Sequence, residues 1–106
     1  MRWIEIAKSQ DVVDDDAVAR EAEGVCIALY RQGSDLTAIG NICPHMGNVF
    51  LSTGWLEDGA IECPLHQARF DIRTGKCLSG PAEEDVPVFP VKEEDGRIFV
   101  SLDGHG

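Results

Sequence analysis

Two short segments, CPHMGN at residues 43–48 and CPLHQA at residues 63–68, carry most of the information in this 106-residue sequence. Each contains one cysteine and one histidine, with the spacings C-x-H and C-x-x-H, and a proline follows each cysteine. Proline fixes one backbone angle, so both segments are expected to form tight loops. Between them, Asp58-Gly59 is a strong signal for a two-residue β-hairpin turn, which would bring the two loops together. The pattern predicts a metal centre with four ligands, Cys43, His45, Cys63 and His66.

Finding a cysteine and a histidine together in each of two segments favours a metal site over the usual structural roles of these residues. A single cysteine near a strand is usually a small core residue, and a single histidine is usually a polar residue with no metal role. Two loops that each pair a cysteine with a histidine make that interpretation poor. A zinc site in a small binding module is one alternative. Zinc ribbons and fingers usually pair two cysteines on one loop, however, and this sequence does not.

The composition limits the class of protein. Acidic residues outnumber basic ones by 19 to 9, and the net charge of −10 would repel nucleic acid but could steer the protein toward basic surfaces of partners. The longest apolar run, Val25–Tyr30, is far shorter than the roughly 20 residues of a membrane-spanning helix. The N-terminal sequence has no apolar signal segment, so we expect a cytoplasmic protein without nucleic-acid or membrane partners. In that reducing compartment the four cysteines would not form two disulfides.

Apolar runs separated by turn signals predict an all-β fold, in one domain covering residues 1–106. Val25–Arg31 is apolar on both faces, as a central strand would be. Asp16–Glu23 is ambiguous, because it has the local propensity of a short helix. Turns are expected at Gln32–Asp35, Asp58-Gly59, Arg73–Lys76 and Asp95-Gly96. The other expected strands are Arg2–Ala7, Leu36–Asn41, Gly54–Glu57, Ala60–Cys63, Arg69–Ile72, Val88–Glu93 and Arg97–Leu102.

Five motifs are spread along the chain: CPH at 43–45, CPLH at 63–66, FD at 70–71, TG at 74–75 and GP at 80–81. Together they resemble the Rieske-type ferredoxins of bacterial aromatic ring-hydroxylating dioxygenase systems, and the resemblance covers nearly the whole chain. It implies an antiparallel β-sandwich with a smaller cluster-binding tip at about 42–81, and a strand around Ala17–Glu21. It also implies one [2Fe–2S] cluster that Gly80-Pro81 helps to cover. In that cluster Cys43 and Cys63 would bind one iron, and His45 and His66 the other.

The resemblance further implies a low reduction potential. Respiratory Rieske proteins carry an additional cysteine in each loop, joined as a disulfide, and this sequence has Asn48 and Leu65 there. They also direct a serine and a tyrosine hydroxyl toward the cluster, where this sequence has Ala68 and Phe70. Hydrogen bonds to the cluster sulfurs help to set the potential, so the missing hydroxyls favour the low end of a range of roughly −150 to +300 mV.

The implied function is electron transfer. Such ferredoxins carry single electrons from a flavin-dependent ferredoxin reductase to a terminal Rieske non-haem iron oxygenase. The chain is not expected to be that enzyme, whose mononuclear iron needs two histidines and a carboxylate, because only His105 is left unassigned. The alternative is the Rieske-type small subunit of an assimilatory nitrite reductase, which shares the motif. Cys26 is expected in the core, and Cys77 is expected to be a partly exposed thiol.

Overall fold

The computed structural model describes residues 2–33, 35–42, 50–64, 68–79 and 85–102, and most of their regular structure is β-strand. All strand pairings in these ranges are antiparallel, which confirms the expected all-β antiparallel fold. No helix in the described ranges is long and apolar enough to cross a membrane. The strands are β1 (Ile4–Lys8), β2 (Asp16–Ala22), β3 (Val25–Gln32), β4 (Asp35–Gly40), β5 (Trp55–Glu57), β6 (Ala60–Glu62), β7 (Arg69–Asp71), β8 (Cys77–Ser79), β9 (Val91–Glu94) and β10 (Arg97–Val100). Short 3₁₀ turns lie at Ser9–Asp11 and Leu51–Thr53.

The strands form three sheets, with the orders β1-β10-β9, β2-β3-β4 and β5-β6-β7-β8. The first two sheets enclose the sandwich core, which consists of Ala7, Val12, Ala22, Ile27, Leu29, Ala38, Phe89, Ile98 and Val100. The opposite face of β2-β3-β4 packs on the four-stranded sheet. Between them lies the tip core, which consists of Ala28, Tyr30, Ile39, Leu51, Ile61, Cys63, Ala68, Phe70, Ile72 and Val86.

Strand β3 is buried on both faces. Its side chains alternate between the two cores, with Ile27 and Leu29 in the sandwich core and Ala28 and Tyr30 in the tip core, all with 0% exposure. The sequence-based prediction of a central strand at this apolar run is therefore confirmed. Burial raises the pKa of Tyr30 far above its ordinary value, so this side chain stays protonated and contributes to the tip core mainly through its ring.

Three two-residue turns set the register of three hairpins. In Glu23-Gly24, Asp58-Gly59 and Asp95-Gly96 both residues have positive φ, between 50° and 82°. This is the signature of a type I′ turn, whose twist matches that of the strands it joins. The predictions at Asp58-Gly59 and Asp95-Gly96 are confirmed, and the turn at Glu23-Gly24 is a further one of the same kind.

Strand β2 settles the ambiguous segment. Asp16–Ala22 pairs with β3 along its whole length, from Asp16 opposite Arg31 to Ala22 opposite Val25. The segment is thus the strand that the family resemblance implied, despite its helical composition. Helix propensities differ by at most about 0.7 kcal/mol per residue among ordinary residues, and tertiary contacts such as a continuous antiparallel pairing routinely override this preference.

The segment before β9 first pairs with the sheet β2-β3-β4, which we call the central sheet. Only after that does the chain enter the sheet β1-β10-β9. Val88 forms an antiparallel bridge with Ile39, and the Gly40 N–H donates to the Pro87 carbonyl oxygen at 2.8 Å. As a result, β9 begins at Val91 rather than at the predicted Val88. This crossover connects the four-stranded sheet to the sandwich.

Arg31 connects the two sheets of the sandwich. Its Nη2 donates to Oε2 of Glu93 on β9 at 2.7 Å, and its Nε donates to the Val12 carbonyl oxygen at 2.6 Å. The guanidinium group lowers the pKa of Glu93 through this hydrogen bond. The Arg31 side chain is 17% exposed and that of Glu93 is 35% exposed, so solvent screens the pair only in part.

Replacing Glu93 with glutamine should therefore destabilise the protein at neutral pH but not in acid. Because the folded-state pKa of Glu93 is depressed, the pair contributes stability above the ordinary carboxyl value of 4.5 and loses it as the pH falls through the lower folded-state pKa. The expected loss at neutral pH is about 0.2–1 kcal/mol, the range of partly exposed ion pairs. Denaturation midpoints of the two proteins should converge as the pH falls; a difference that stays constant would contradict the assignment.

Candidate metal centre

Cys63 directly follows β6 and lies in the tip core with 0% exposure. Its backbone N–H donates to the Ala68 carbonyl oxygen at 2.7 Å. This bond continues the β6–β7 pairing one step beyond Glu62 and Arg69. It therefore joins the two ends of the second cysteine–histidine segment at the end of the four-stranded sheet.

The ends of the first cysteine–histidine segment are also held together. Ile42 and Phe50, which flank it, form an antiparallel bridge. Asn41 is buried, and it accepts the Leu51 N–H at its backbone oxygen, 2.7 Å away, and the Ser52 N–H at its Oδ1, 2.8 Å away. The loop thus begins and ends at one fixed point beside the central sheet.

Gly54 brings the supports of these two loops into contact. A Cβ atom at this position would lie 1.8 Å from the Glu62 carbonyl oxygen and 3.2 Å from Cδ of Pro64. The nearer atom belongs to the backbone of a paired strand and cannot rotate away. Glycine is therefore required for the two chain segments to approach this closely.

A third loop leaves from the same end of the sheet. Ser79 at the end of β8 lies opposite Arg69, and the chain returns at Asp85, whose Oδ1 accepts the Cys77 N–H at 2.8 Å. Gly80-Pro81 belongs to this loop by sequence. Two of the three loops that the sequence associates with the cluster therefore start from one end of the four-stranded sheet, and the first starts after β4.

Of the four predicted ligands, Cys63 lies within the described residues. Cys43, His45 and His66 lie outside them, as does Gly80-Pro81. Within the ranges that the structure describes, no three His, Cys, Asp or Glu side chains are grouped so that they could hold a metal ion. The structure thus gives the positions at which the ligand loops begin and end.

Cys63, the one predicted ligand within the described residues, fits a metal group that is bound in part through thiolates. Cys63 is a free thiol, fully shielded from water, on a loop whose sequence also supplies a histidine. Cysteine and histidine are the ligands of Rieske [2Fe–2S] clusters, and a dry surrounding is one of the protein's means of tuning such a site. The donor chemistry and the burial of Cys63 are therefore compatible with a [2Fe–2S] cluster.

The other described cysteines differ from Cys63. Cys77 is partly buried, as expected. The prediction that Cys26 lies in the core is wrong, because this residue is only partly buried and belongs to neither core. Its side chain points to the same face of β3 as Ala28, but at this end of the strand the tip core does not cover it, and it borders a groove beside Phe50 instead.

Two supporting residues, Asn41 and Gly54, were not singled out from the sequence. A polar residue that ends an apolar strand just before a ligand segment could have pointed to Asn41. Nothing local distinguishes Gly54, because its role depends on a contact with a different strand.

Comparisons with known proteins agree with this geometry. A family model of the Rieske [2Fe–2S] domain matches residues 2–90. The ferredoxin component of the naphthalene 1,2-dioxygenase system of Pseudomonas putida is 39% identical over 102 residues, which cover 96% of this chain and 97% of the relative. The ferredoxin of carbazole 1,9a-dioxygenase from Nocardioides aromaticivorans IC177 has a TM-score of 0.89 at 28% identity, with 95% of this chain and 98% of that chain covered. A chain in a complex of reduced oxygenase and oxidised ferredoxin in carbazole 1,9a-dioxygenase has a TM-score of 0.85 at 30% identity, with 93% and 92% covered.

These relatives are ferredoxin components, so the chain is an electron carrier and not the catalytic oxygenase of such a system. The expected cofactor, one [2Fe–2S] cluster, is confirmed by the family match. The family model spans most of the sequence, and the curated relative is similar from end to end. The chain therefore belongs to the Rieske [2Fe–2S] domain family and is one of its ferredoxins.

Proposed function

We propose that this chain, as a single domain of residues 1–106, carries single electrons from a flavin-dependent ferredoxin reductase to a terminal Rieske non-haem iron oxygenase that hydroxylates an aromatic ring. The observation that carries the proposal is the 39% identity, along nearly the whole chain, to a ferredoxin of a naphthalene dioxygenase system. The oxygenase as partner is supported by the match to a chain from an oxygenase–ferredoxin complex. A reductase is needed because a carrier that delivers electrons must also receive them.

For the cluster we propose Cys43 and Cys63 as ligands of one iron and His45 and His66 as ligands of the other. Support comes from the hydrogen bond that joins Cys63 to Ala68 and from the pairing of Ile42 with Phe50. The close approach of Gly54 to Pro64 places the supports of the two loops side by side. Four ligands from two adjoining loops can then converge on one small inorganic group.

A bound [2Fe–2S] cluster supplies reversible one-electron chemistry. The chain's contribution is the charge and polarity around it. Two thiolates and two neutral imidazoles leave the oxidised site formally uncharged, whereas four thiolates would leave it doubly negative, so an added electron costs less. Ala68 and Phe70 are both fully buried and offer no hydroxyl group, which keeps the proposed potential at the low end of the Rieske range.

The small subunit of an assimilatory nitrite reductase is the weaker alternative, because the matched relatives are ferredoxins of dioxygenase systems.

For the compartment we propose the cytoplasm. Cys26 and Cys77, which are not proposed as ligands, form no disulfide, and this fits a reducing environment.

Cys63→Ser and Cys43→Ser proteins should lose the visible absorption of the cluster together with its iron and acid-labile sulfide. Cys26→Ser is the matched control and should keep all three, because Cys26 lies outside both cores. Absorption spectra and assays of iron, sulfide and zinc on the purified proteins measure the outcome. Full iron content in Cys63→Ser, or zinc in place of iron and sulfide in the parent, would contradict the ligand assignment.

Adding a hydroxyl group beside the ligand loop should raise the reduction potential. Ala68 and Phe70 share the tip core with Cys63, so Ala68→Ser and Phe70→Tyr place new donors in a dry region near a ligand. A hydrogen bond to a charged group contributes roughly 1.5–3 kcal/mol, of which only the difference between redox states counts. If about 1 kcal/mol remains, the shift for one electron is on the order of 40 mV. Protein-film voltammetry should show increases of this size; unchanged potentials with full iron content would exclude the missing hydroxyls as the cause of a low potential.

The role as carrier can be tested by reconstitution. The protein, mixed with NAD(P)H and with the reductase and oxygenase components of the naphthalene dioxygenase system, should support oxidation of naphthalene. The Cys63→Ser protein should not support it, because electrons then have no cluster to pass through. A parent protein that is reduced and then reoxidised by a nitrite reductase, but not by the oxygenase, would replace the proposed role with the alternative.

A further inference from the structure

The outer face of the four-stranded sheet carries an exposed tryptophan. Trp55 on β5 is 60% exposed, and with Glu57, Glu62 and Arg69 it lines a cleft of about 110 Å³. Trp55 lies directly opposite Glu62, and Glu62 lies directly opposite Arg69, so the three side chains form one row across the sheet. We call Trp55, Glu62 and Arg69 the outer row.

The row projects away from the protein interior. On β5, β6 and β7 the neighbouring residues Leu56, Ile61 and Phe70 face the tip core. Because successive side chains of a strand point to opposite faces, Trp55, Glu62 and Arg69 point outward. Within the part of the chain that the structure describes, no hydrogen bond, ion pair or cation–ring contact involves the side chains of Trp55, Glu57, Glu62 or Arg69.

The other tryptophan of the chain, Trp3, has a cation over its ring, whereas no described cation lies over the ring of Trp55. The ammonium group of Lys92 lies 4.8 Å from the ring centroid of Trp3 and 3.1 Å from Oε2 of Glu94. A cation held between an aromatic face and a carboxylate gains from both contacts. Trp55 likewise has carboxylates beside it, from Glu57 on the same strand face and Glu62 on the next strand, but no described cation lies over its ring.

The row lies beside the proposed cluster ligands. Glu62 immediately precedes Cys63, and Arg69 immediately follows Ala68, the residue whose carbonyl oxygen closes the ligand loop. A protein seated on the outer row would therefore contact the sheet one residue from a ligand. Electron transfer requires such closeness, whereas an exposed tryptophan at this place has no evident structural purpose.

We propose that Trp55, Glu57 and Glu62 form the docking surface for a basic side chain, arginine or lysine, of the terminal oxygenase. This inference rests on the proposed function and adds to it the face that the oxygenase contacts. The partner's cation would lie over the Trp55 ring and pair with Glu57 and Glu62, completing the arrangement that Trp3, Lys92 and Glu94 form within the chain. The net charge of −10 favours approach of a basic surface. Tryptophan and arginine are also the residues most often found to dominate protein interfaces.

The test measures how the reduced, cluster-containing protein transfers electrons to the oxygenase of the naphthalene dioxygenase system at increasing oxygenase concentration. Trp55→Ala should weaken apparent binding about tenfold or more, as for an interface residue that contributes strongly, with little change in the maximal rate. Glu57→Gln combined with Glu62→Gln should reduce the dependence of binding on salt, because screened charge pairs are removed. Val13→Ala is the matched control: Val13 is 58% exposed, lies just before β2 and is not part of the four-stranded sheet, so this variant should behave like the parent.

Visible spectra and melting curves verify that each variant keeps its cluster and its fold. Because Trp55 is exposed, its replacement is expected to leave both intact. A Trp55→Ala protein that matches an active parent would overturn the docking surface and leave the proposed function intact. Weakened reduction by the reductase, with unchanged transfer to the oxygenase, would also overturn it. A parent that transfers no electrons to the oxygenase while the cognate ferredoxin does would overturn both.

Discussion

The burial of β3 on both faces is the constraint on which the rest of the structure depends. Four consecutive side chains, from Ile27 to Tyr30, have no exposed surface and alternate between the sandwich core and the tip core. Fully burying a large apolar side chain stabilises a fold by roughly 1.5–3 kcal/mol, so both cores draw strongly on this one strand. Because β3 lines both cores, a shift of the four-stranded sheet relative to the sandwich disturbs the tip core and, through β3, strains the sandwich core.

This shared strand gives the ligand loops a stiff support. Ile42 and Phe50 pair next to the central sheet, while Cys63 and Ala68 close their loop at the end of the four-stranded sheet. Gly54 lets the two supports touch at backbone distance. Loops that carry function are usually positioned by a rigid scaffold in this way. For an electron carrier, such a frame keeps the ligands in place while the charge of the site changes.

The parts of this arrangement that follow from local sequence were predictable, and those that depend on distant contacts were not. Asp58-Gly59 specifies its hairpin by itself, because few residue pairs tolerate positive φ at both positions. Asp16–Ala22 has no such local signal, and its strand form comes from pairing with β3, so a family resemblance was needed to predict it. Cys26 sits in a continuous apolar run, yet its burial depends on what covers the end of the strand. The spacing of the ligands was visible in the sequence, but Asn41 and Gly54 act across segments and became evident only in the fold.

The place of Cys63 in the tip core links cluster binding to folding of one part of the molecule. Cys63 packs with Ile61, Ala68 and Phe70 in the tip core, so the ligand and the apolar packing occupy the same space. Binding energy for a metal group counts as folding energy when the site does not exist in the unfolded chain. The sandwich core, by contrast, contains none of the proposed ligands. The cluster should therefore stabilise the four-stranded sheet directly and the sandwich only through β3, which makes the tip the part of the protein whose order depends most on the cofactor.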